Sequence, residues 1–213
     1  MKWLDSLERR FHWMAIPQFP LFIATANGLI YLMAQFEPRF VEQLTLNPVA
    51  VRAGEWWRVI TFLFVPPLMS PIWFVFWLLF IYQYSQALEN AWGEFRFFFF
   101  YFVGAAATVA ASIFILNQTI GNGFLYLTLF LAFATLYPET EILLLVFFLR
   151  VKVKYLAWLT WLIVGISFVL GTAGTRIAIV AALSNYFLFF GADIWKAAVL
   201  RWEVYRNRRR LRR

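Results

Sequence analysis

Of 213 residues, 63% are hydrophobic, 22% aromatic and only 14% charged. A soluble domain of this length cannot bury so much apolar surface, so the composition places the chain in a bilayer. Nineteen Lys and Arg against eleven Asp and Glu give a net charge of +8, and the absence of cysteine excludes disulfides, thiolate nucleophiles and cysteine-held metals.

Lys2, Arg9 and Arg10 precede the first apolar stretch, and His12 stands among Phe11, Trp13 and Met14, the pattern of a segment lying at a membrane surface. Residues 1–17 are read as a cytoplasmic or interfacial N-terminus. Apolar stretches then run from Phe19 to Phe36, Pro71 to Leu88, Phe95 to Leu116, Phe124 to Tyr137, Tyr155 to Leu170 and Ile177 to Trp195. Most approach the ~20 residues that a spanning helix needs, which predicts six spans. The first lacks a small-residue cleavage site and is read as a retained helix. The fourth is short and opens on Gly121 and Gly123, as expected of a helix that starts below the membrane surface and needs neighbouring protein to satisfy its first backbone groups.

Six spans put both termini on one side, together with the turn at Gly93 and the segment from Arg150 to Lys154. Those regions hold fifteen of the nineteen Lys and Arg; Arg39, Arg52, Arg58 and Arg176 are the other four. The split predicts cytoplasmic termini. The basic tail, residues 196–213, ends in RNRRRLRR and suits anionic lipid headgroups; nucleic acid is not expected as a partner. Glu139 and Glu141 follow Pro138 near Arg150, Lys152 and Lys154, which predicts a solvated ion-pair patch.

The one long connection, residues 37–67, mixes Trp56, Trp57, Phe62 and Phe64 with Arg52, Glu55 and Arg58. That composition suits a structured loop in the outer interface: an indole at headgroup level, and a guanidinium supplying five donors to carbonyls that meet little water. Two segments, GEWWRVITFLF from Gly54 to Phe64 and ALENAWGEFRF from Ala87 to Phe97, resemble signature loops of the rhomboid superfamily of intramembrane proteins. A third, EILLLVFFLRVKVKYLAWL from Glu141 onward, resembles the stretch linking rhomboid spans four and five, with Arg150 where the family often has proline. The resemblance implies that Trp57 and Arg58 brace the loop against the bundle, as in rhomboids and their derlin relatives. Gly93 suits a tight helix-ending turn, and Glu89 is placed to accept hydrogen bonds from it.

Rhomboid proteases carry their nucleophile in a Gly-x-Ser-Gly motif at the start of the short fourth helix. The matching positions here are Asn122 or Gly123, neither of which can supply an alkoxide. The polar oxyanion positions of span two fall near Trp73 and Trp77, whose indoles would fill that space. The general base belongs in span six, within residues 177–182, yet His12 is the only histidine. Small residues recur at helical spacing in span three (Gly104, Thr108, Ser112) and span six (Gly174, Ala178, Ala182, then Asn185). With Gly121, they are assigned to close helix packing.

The resemblance therefore implies an all-α membrane protein: a single domain, 1–213, built as a six-transmembrane-helix rhomboid-like bundle with a long structured outer loop between helices 1 and 2. It implies no proteolysis, no cofactor and no metal. The function implied is binding of transmembrane segments of client proteins, affecting their folding, stability or dislocation, with the lipid bilayer and anionic headgroups as further partners. The alternatives are a small transporter or channel, or a hydrolase with an unrecognised nucleophile such as Ser184 or Thr128. A bacterial inner membrane is the expected location, with the endoplasmic reticulum as the alternative.

Overall fold

The computed structural model describes residues 2–144 and 149–211. Helix α1 (Lys2–Phe11) places Leu4 in the core while Asp5 and Glu8 pair with Arg96 at 2.7 and 3.0 Å. A short 3-10 turn, His12–Met14, leads to α2 (Phe19–Phe36). Three prolines then occupy first helical positions, where the missing N–H has no intrahelical acceptor to lose and φ is already set. Pro38 opens α3 (Pro38–Leu44), Pro48 opens α4 (Pro48–Arg52), and after α5 (Arg58–Thr61) and the 3-10 turn Phe62–Phe64, Pro71 opens α6 (Pro71–Trp92).

Gly93 ends α6 at φ +87°, a backbone that side chains rarely adopt, and turns the chain into α7 (Glu94–Ala110). This helix widens into a π-helix, Ala111–Leu116, and stops at Asn117 with φ +50°. Helix α8 (Gly123–Leu136) follows, then α9 (Val153–Leu170) and α10 (Ala173–Leu211). α8 is apolar on all sides and most of it is buried, since α6, α7, α9 and α10 all pack on it. α7 and α10 form the most extensive helix pair, and α2 packs on α6. α9 is peripheral: only 11% of it is buried, against 44% for the apolar part of α10.

Four helical stretches are long and apolar enough to cross a bilayer: Phe19–Phe36, Glu94–Leu116, Val153–Leu170 and Ala173–Ala192. α8 is apolar but has 14 residues, and α6 has 22 residues but turns polar after Ile81.

The link between α8 and α9 contains a hairpin: β1 (Glu141–Leu144) and β2 (Leu149–Lys152) pair antiparallel, Glu141 opposite Lys152 and Ile142 opposite Val151. Within β2, Leu149 and Val151 alternate with Arg150 and Lys152, a period of two that suits a strand. Residues 145–148 of the third rhomboid-like segment lie outside the described residues. Most of the basic C-terminal segment continues α10, which runs on through Leu211. Its 39 residues, at about 1.5 Å each, exceed the ~30 Å hydrocarbon thickness. Arg212 and Arg213 lie outside the described residues.

Candidate functional site

Irregular backbone in a water-poor setting needs donors for its carbonyls. The segment between α2 and α6 receives them from side chains. Arg58, 8% exposed, donates through Nη1 to the carbonyls of Glu42 (2.6 Å) and Thr45 (3.1 Å) and through Nε to Glu55 (2.6 Å). Thr61 Oγ1 donates to Leu44 at 3.0 Å, and Tyr31 Oη to Met69 at 2.7 Å. Trp57 is half exposed, and its Nε1 reaches the Gln43 carbonyl at 3.4 Å. Arg52, at the end of α4, donates to the Ile113 carbonyl (2.7 Å) and to Asn117 Oδ1 (2.9 Å), capping the π-helical end of α7.

The deepest of these contacts joins the loop to the start of α8. Asn122 is the N-cap of α8, but its amide makes no capping bond. Nδ2 instead faces the carbonyls of Phe62, Leu63 and Val65 at 2.9, 3.1 and 2.9 Å. The Leu63 carbonyl also accepts from Tyr126 Oη (2.8 Å) and Tyr101 Oη (3.1 Å). Tyr126 Oη in turn accepts from Asn27 Nδ2 at 2.9 Å. Residues from α2, α7 and α8 thus converge on one turn of loop. Tyr101 and Tyr126 carry no motif that would single them out; the available signal is a hydroxyl inside an apolar helix, which needs a partner when buried.

At the positions compared with the protease oxyanion site, Trp77 packs edge-on against Tyr126 at 5.2 Å, but Trp73 is 51% exposed and contacts Phe76. The expectation that both indoles fill one polar space is corrected: Trp73, in the first turn of α6, is half exposed. His12 is exposed in the turn after α1. Thr128 Oγ1 donates to Leu125 at 2.8 Å and Ser184 Oγ to Ala181 at 2.7 Å, so both hydroxyls are engaged within their own helices.

Helix packing centres on Gly104. A Cβ there would stand 2.6 Å from both Asn185 Nδ2 and Leu125 Cδ1, so the side chains of α8 and α10 lean into the space that the missing Cβ leaves on α7. Asn185 Nδ2 bridges the Phe100 carbonyl (3.3 Å) and Thr128 Oγ1 (3.2 Å), while Thr108 Oγ1 bonds back to Gly104 at 2.8 Å. Ala178 and Ala182 are buried. Gly121 is a correction: nothing lies within 4 Å of a Cβ built on it, and it lines an open cavity of about 490 Å³ between α8 and α10 rather than a helix contact. Gly123 is equally open.

Glu89 also differs from expectation. Its backbone carbonyl accepts from Gly93 N–H at 2.7 Å, but its side chain turns to the Phe19 N–H, at the positive end of α2. Glu89 Oε2 and, one turn earlier, Ser85 Oγ are buried without a partner. Outside the helices, Lys152 and Lys154 hold Glu139 at 2.8 and 2.6 Å, and their hydrogen bonds bring its carboxyl down to about 2. Among the described residues no group of His, Asp or Glu could hold a metal.

Several apolar helices around a buried central one, with a loop pinned to its first turn, define a multi-pass membrane protein of the rhomboid-like class. The chain belongs to the Der1-like family, whose model matches residues 16–200. Members of that family, the derlins, are rhomboid-like pseudoproteases. Comparison with curated proteins found no significant match.

Proposed function

We propose that this protein binds transmembrane segments of client proteins without cleaving them and influences their folding, stability or dislocation. The observation that carries the reading is Asn122. The position compared with the family serine holds an amide whose donors are committed to three loop carbonyls, and a carboxamide offers no nucleophile in any case. The six helices α2 and α6–α10 serve as spans, the short α8 being sheltered by its neighbours. Both termini are cytoplasmic, the segment 37–67 lies in the outer interface, and the basic extension of α10 meets anionic headgroups. A bacterial inner membrane is the proposed location.

Client access is supported by the packing. α6 and α9 both rest on α8 but make no substantial contact with one another, and α9 is the least buried of the spans. The short α8 and irregular loop also favour local bilayer thinning, which lowers the cost of holding a polar client helix.

The test incubates wild type, Asn122→Ser and Gly123→Ser with a fluorogenic transmembrane substrate and a serine-directed fluorophosphonate. No turnover and no labelling above a no-enzyme control is expected in all three, because the only histidine is His12. Specific turnover by the wild type contradicts the reading. Reporters fused at residue 45 and residue 213 are expected on opposite sides of the membrane.

A further inference from the structure

One side of α7 and its π-helical end carries a stripe at four-residue spacing, Phe102, Ala106, Ala110 and Phe114, all four exposed. Two methyl groups between two phenyl rings leave a trough in the middle of the stripe. The neighbouring elements wall it in: Phe22 of α2 and Phe64 of the loop, edge to face at 5.3 Å, together with Ile60 of α5. The resulting groove has a volume of about 510 Å³, and its one polar side chain, Tyr101, donates its hydroxyl to the Leu63 carbonyl.

The shape of the groove decides what can enter it. From Phe98 to Phe114 it follows α7 for about 24 Å, at about 1.5 Å per residue. Its volume spread over that length gives a mean cross-section of about 20 Å². A helix about 10 Å across needs roughly 80 Å², so neither a spanning client nor a helix of a second copy enters. A single hydrocarbon chain does, and a chain reaching the middle of the ~30 Å bilayer core needs only about 15 Å of length.

One end of the groove is positively charged. Phe114 follows Ile113, whose carbonyl accepts from Arg52 Nη2 at 2.7 Å, while Asn117 Oδ1 accepts from Nη1 at 2.9 Å. Both acceptors are neutral, and among the described residues no carboxylate forms an ion pair with Arg52. The helix end it caps offsets at most about half a charge, and the exposed guanidinium keeps three of its five N–H donors for an anion. Val59 and Val109, which line the groove, also pack on the cluster that holds Val51, so Arg52 stands beside the groove's end.

We propose that this groove holds one acyl chain of a phospholipid whose phosphate pairs with Arg52. An apolar trough at the depth of α2 and α7 meets hydrocarbon rather than water, and the charge at its end complements a lipid phosphate. The bound lipid ties the loop to α2 and α7. Its site lies apart from the opening between α6 and α9 and does not depend on the client-binding reading.

The test titrates the full chain, purified in detergent and stripped of lipid, with palmitoyl-oleoyl phosphatidylglycerol and follows it by native mass spectrometry. A single saturable lipid per chain is expected. Arg52→Gln should weaken it about tenfold, the scale of a lost charge-assisted hydrogen bond, and Ala110→Phe, which fills the trough, tenfold or more. Leu159→Phe, on the exposed side of α9, should stay within about twofold of wild type. Glycerophosphoglycerol, the headgroup without chains, should not compete, which separates a lipid site from a site for free phosphate. A lipid with a diazirine in mid-chain should label wild type between Phe102 and Phe114, and unlabelled lipid should abolish the label, a result that stands even if a variant fails to fold. Unchanged affinity in a folded Arg52→Gln or Ala110→Phe, an equal loss in Leu159→Phe, competition by the headgroup alone, or equal labelling of α9 would overturn the proposal.

Discussion

The side-chain amide of Asn122 stands 2.9 Å from the carbonyl oxygen of Val65 and equally far from that of Phe62, so one residue at the start of α8 fixes the last turn of the loop. Removing it leaves buried carbonyls short of donors. Asn122→Ala should therefore lower stability by ~1–3 kcal/mol, read by denaturant unfolding in mild detergent. A change below about 0.5 kcal/mol would show that the Phe62 and Val65 carbonyls do not depend on Asn122.

Arg58→Ala should destabilise the fold more than Arg206→Ala. Arg58 is buried and serves two loop carbonyls and Glu55, so its loss is expected to cost ~1–3 kcal/mol. Arg206 belongs to the basic extension of α10. Thermal unfolding of the two purified variants distinguishes them; equal midpoints would remove the bracing role given to the Trp57–Arg58 pair.

Gly104→Ala and Gly121→Ala form a matched pair. At Gly104 the new methyl group would lie 2.6 Å from the side-chain ends of Asn185 and Leu125, so both must shift and the buried Asn185 hydrogen bonds are disturbed, at a cost of ~1–3 kcal/mol. At Gly121 there is open space, and the change should stay within about 0.5 kcal/mol. The same unfolding assay applied to both variants checks the contrast.

Glu139 is held at about 2 instead of the usual 4.5 by its hydrogen bonds to Lys152 and Lys154. Because the folded value is the lower one, the stabilisation is fully present above about pH 4.5 and is lost as pH falls through about 2. The carboxyl carbon of Glu139, followed by NMR in nanodiscs, should titrate well below 4.5. The group is exposed, so added salt should move its midpoint back toward 4.5.

The helices were legible in the sequence because apolar runs of near-spanning length leave few other structures open in a bilayer. Trp57, Arg58, Glu89 and Gly93 could be singled out because their motifs are local. The partners could not: that Glu89 meets Phe19 rather than the Gly93 turn depends on how α2 packs on α6, which local spacing does not report. Tyr101 and Tyr126 were missed for the same reason, each being one aromatic among many until the fold brings both to Leu63. The hairpin was legible in principle, through the alternation from Leu149 to Lys152, but the apolar run from Ile142 to Leu149 masks that period.

The central claim is that transmembrane segments are bound and left intact, and photocrosslinking read by intact mass tests both halves at once. The protein in nanodiscs is irradiated with a photoreactive single-span peptide, with and without excess unlabelled peptide. The account predicts an adduct whose added mass is that of the whole peptide, and which the competitor abolishes. An adduct carrying only a peptide fragment, or one that the competitor leaves unchanged, would contradict it.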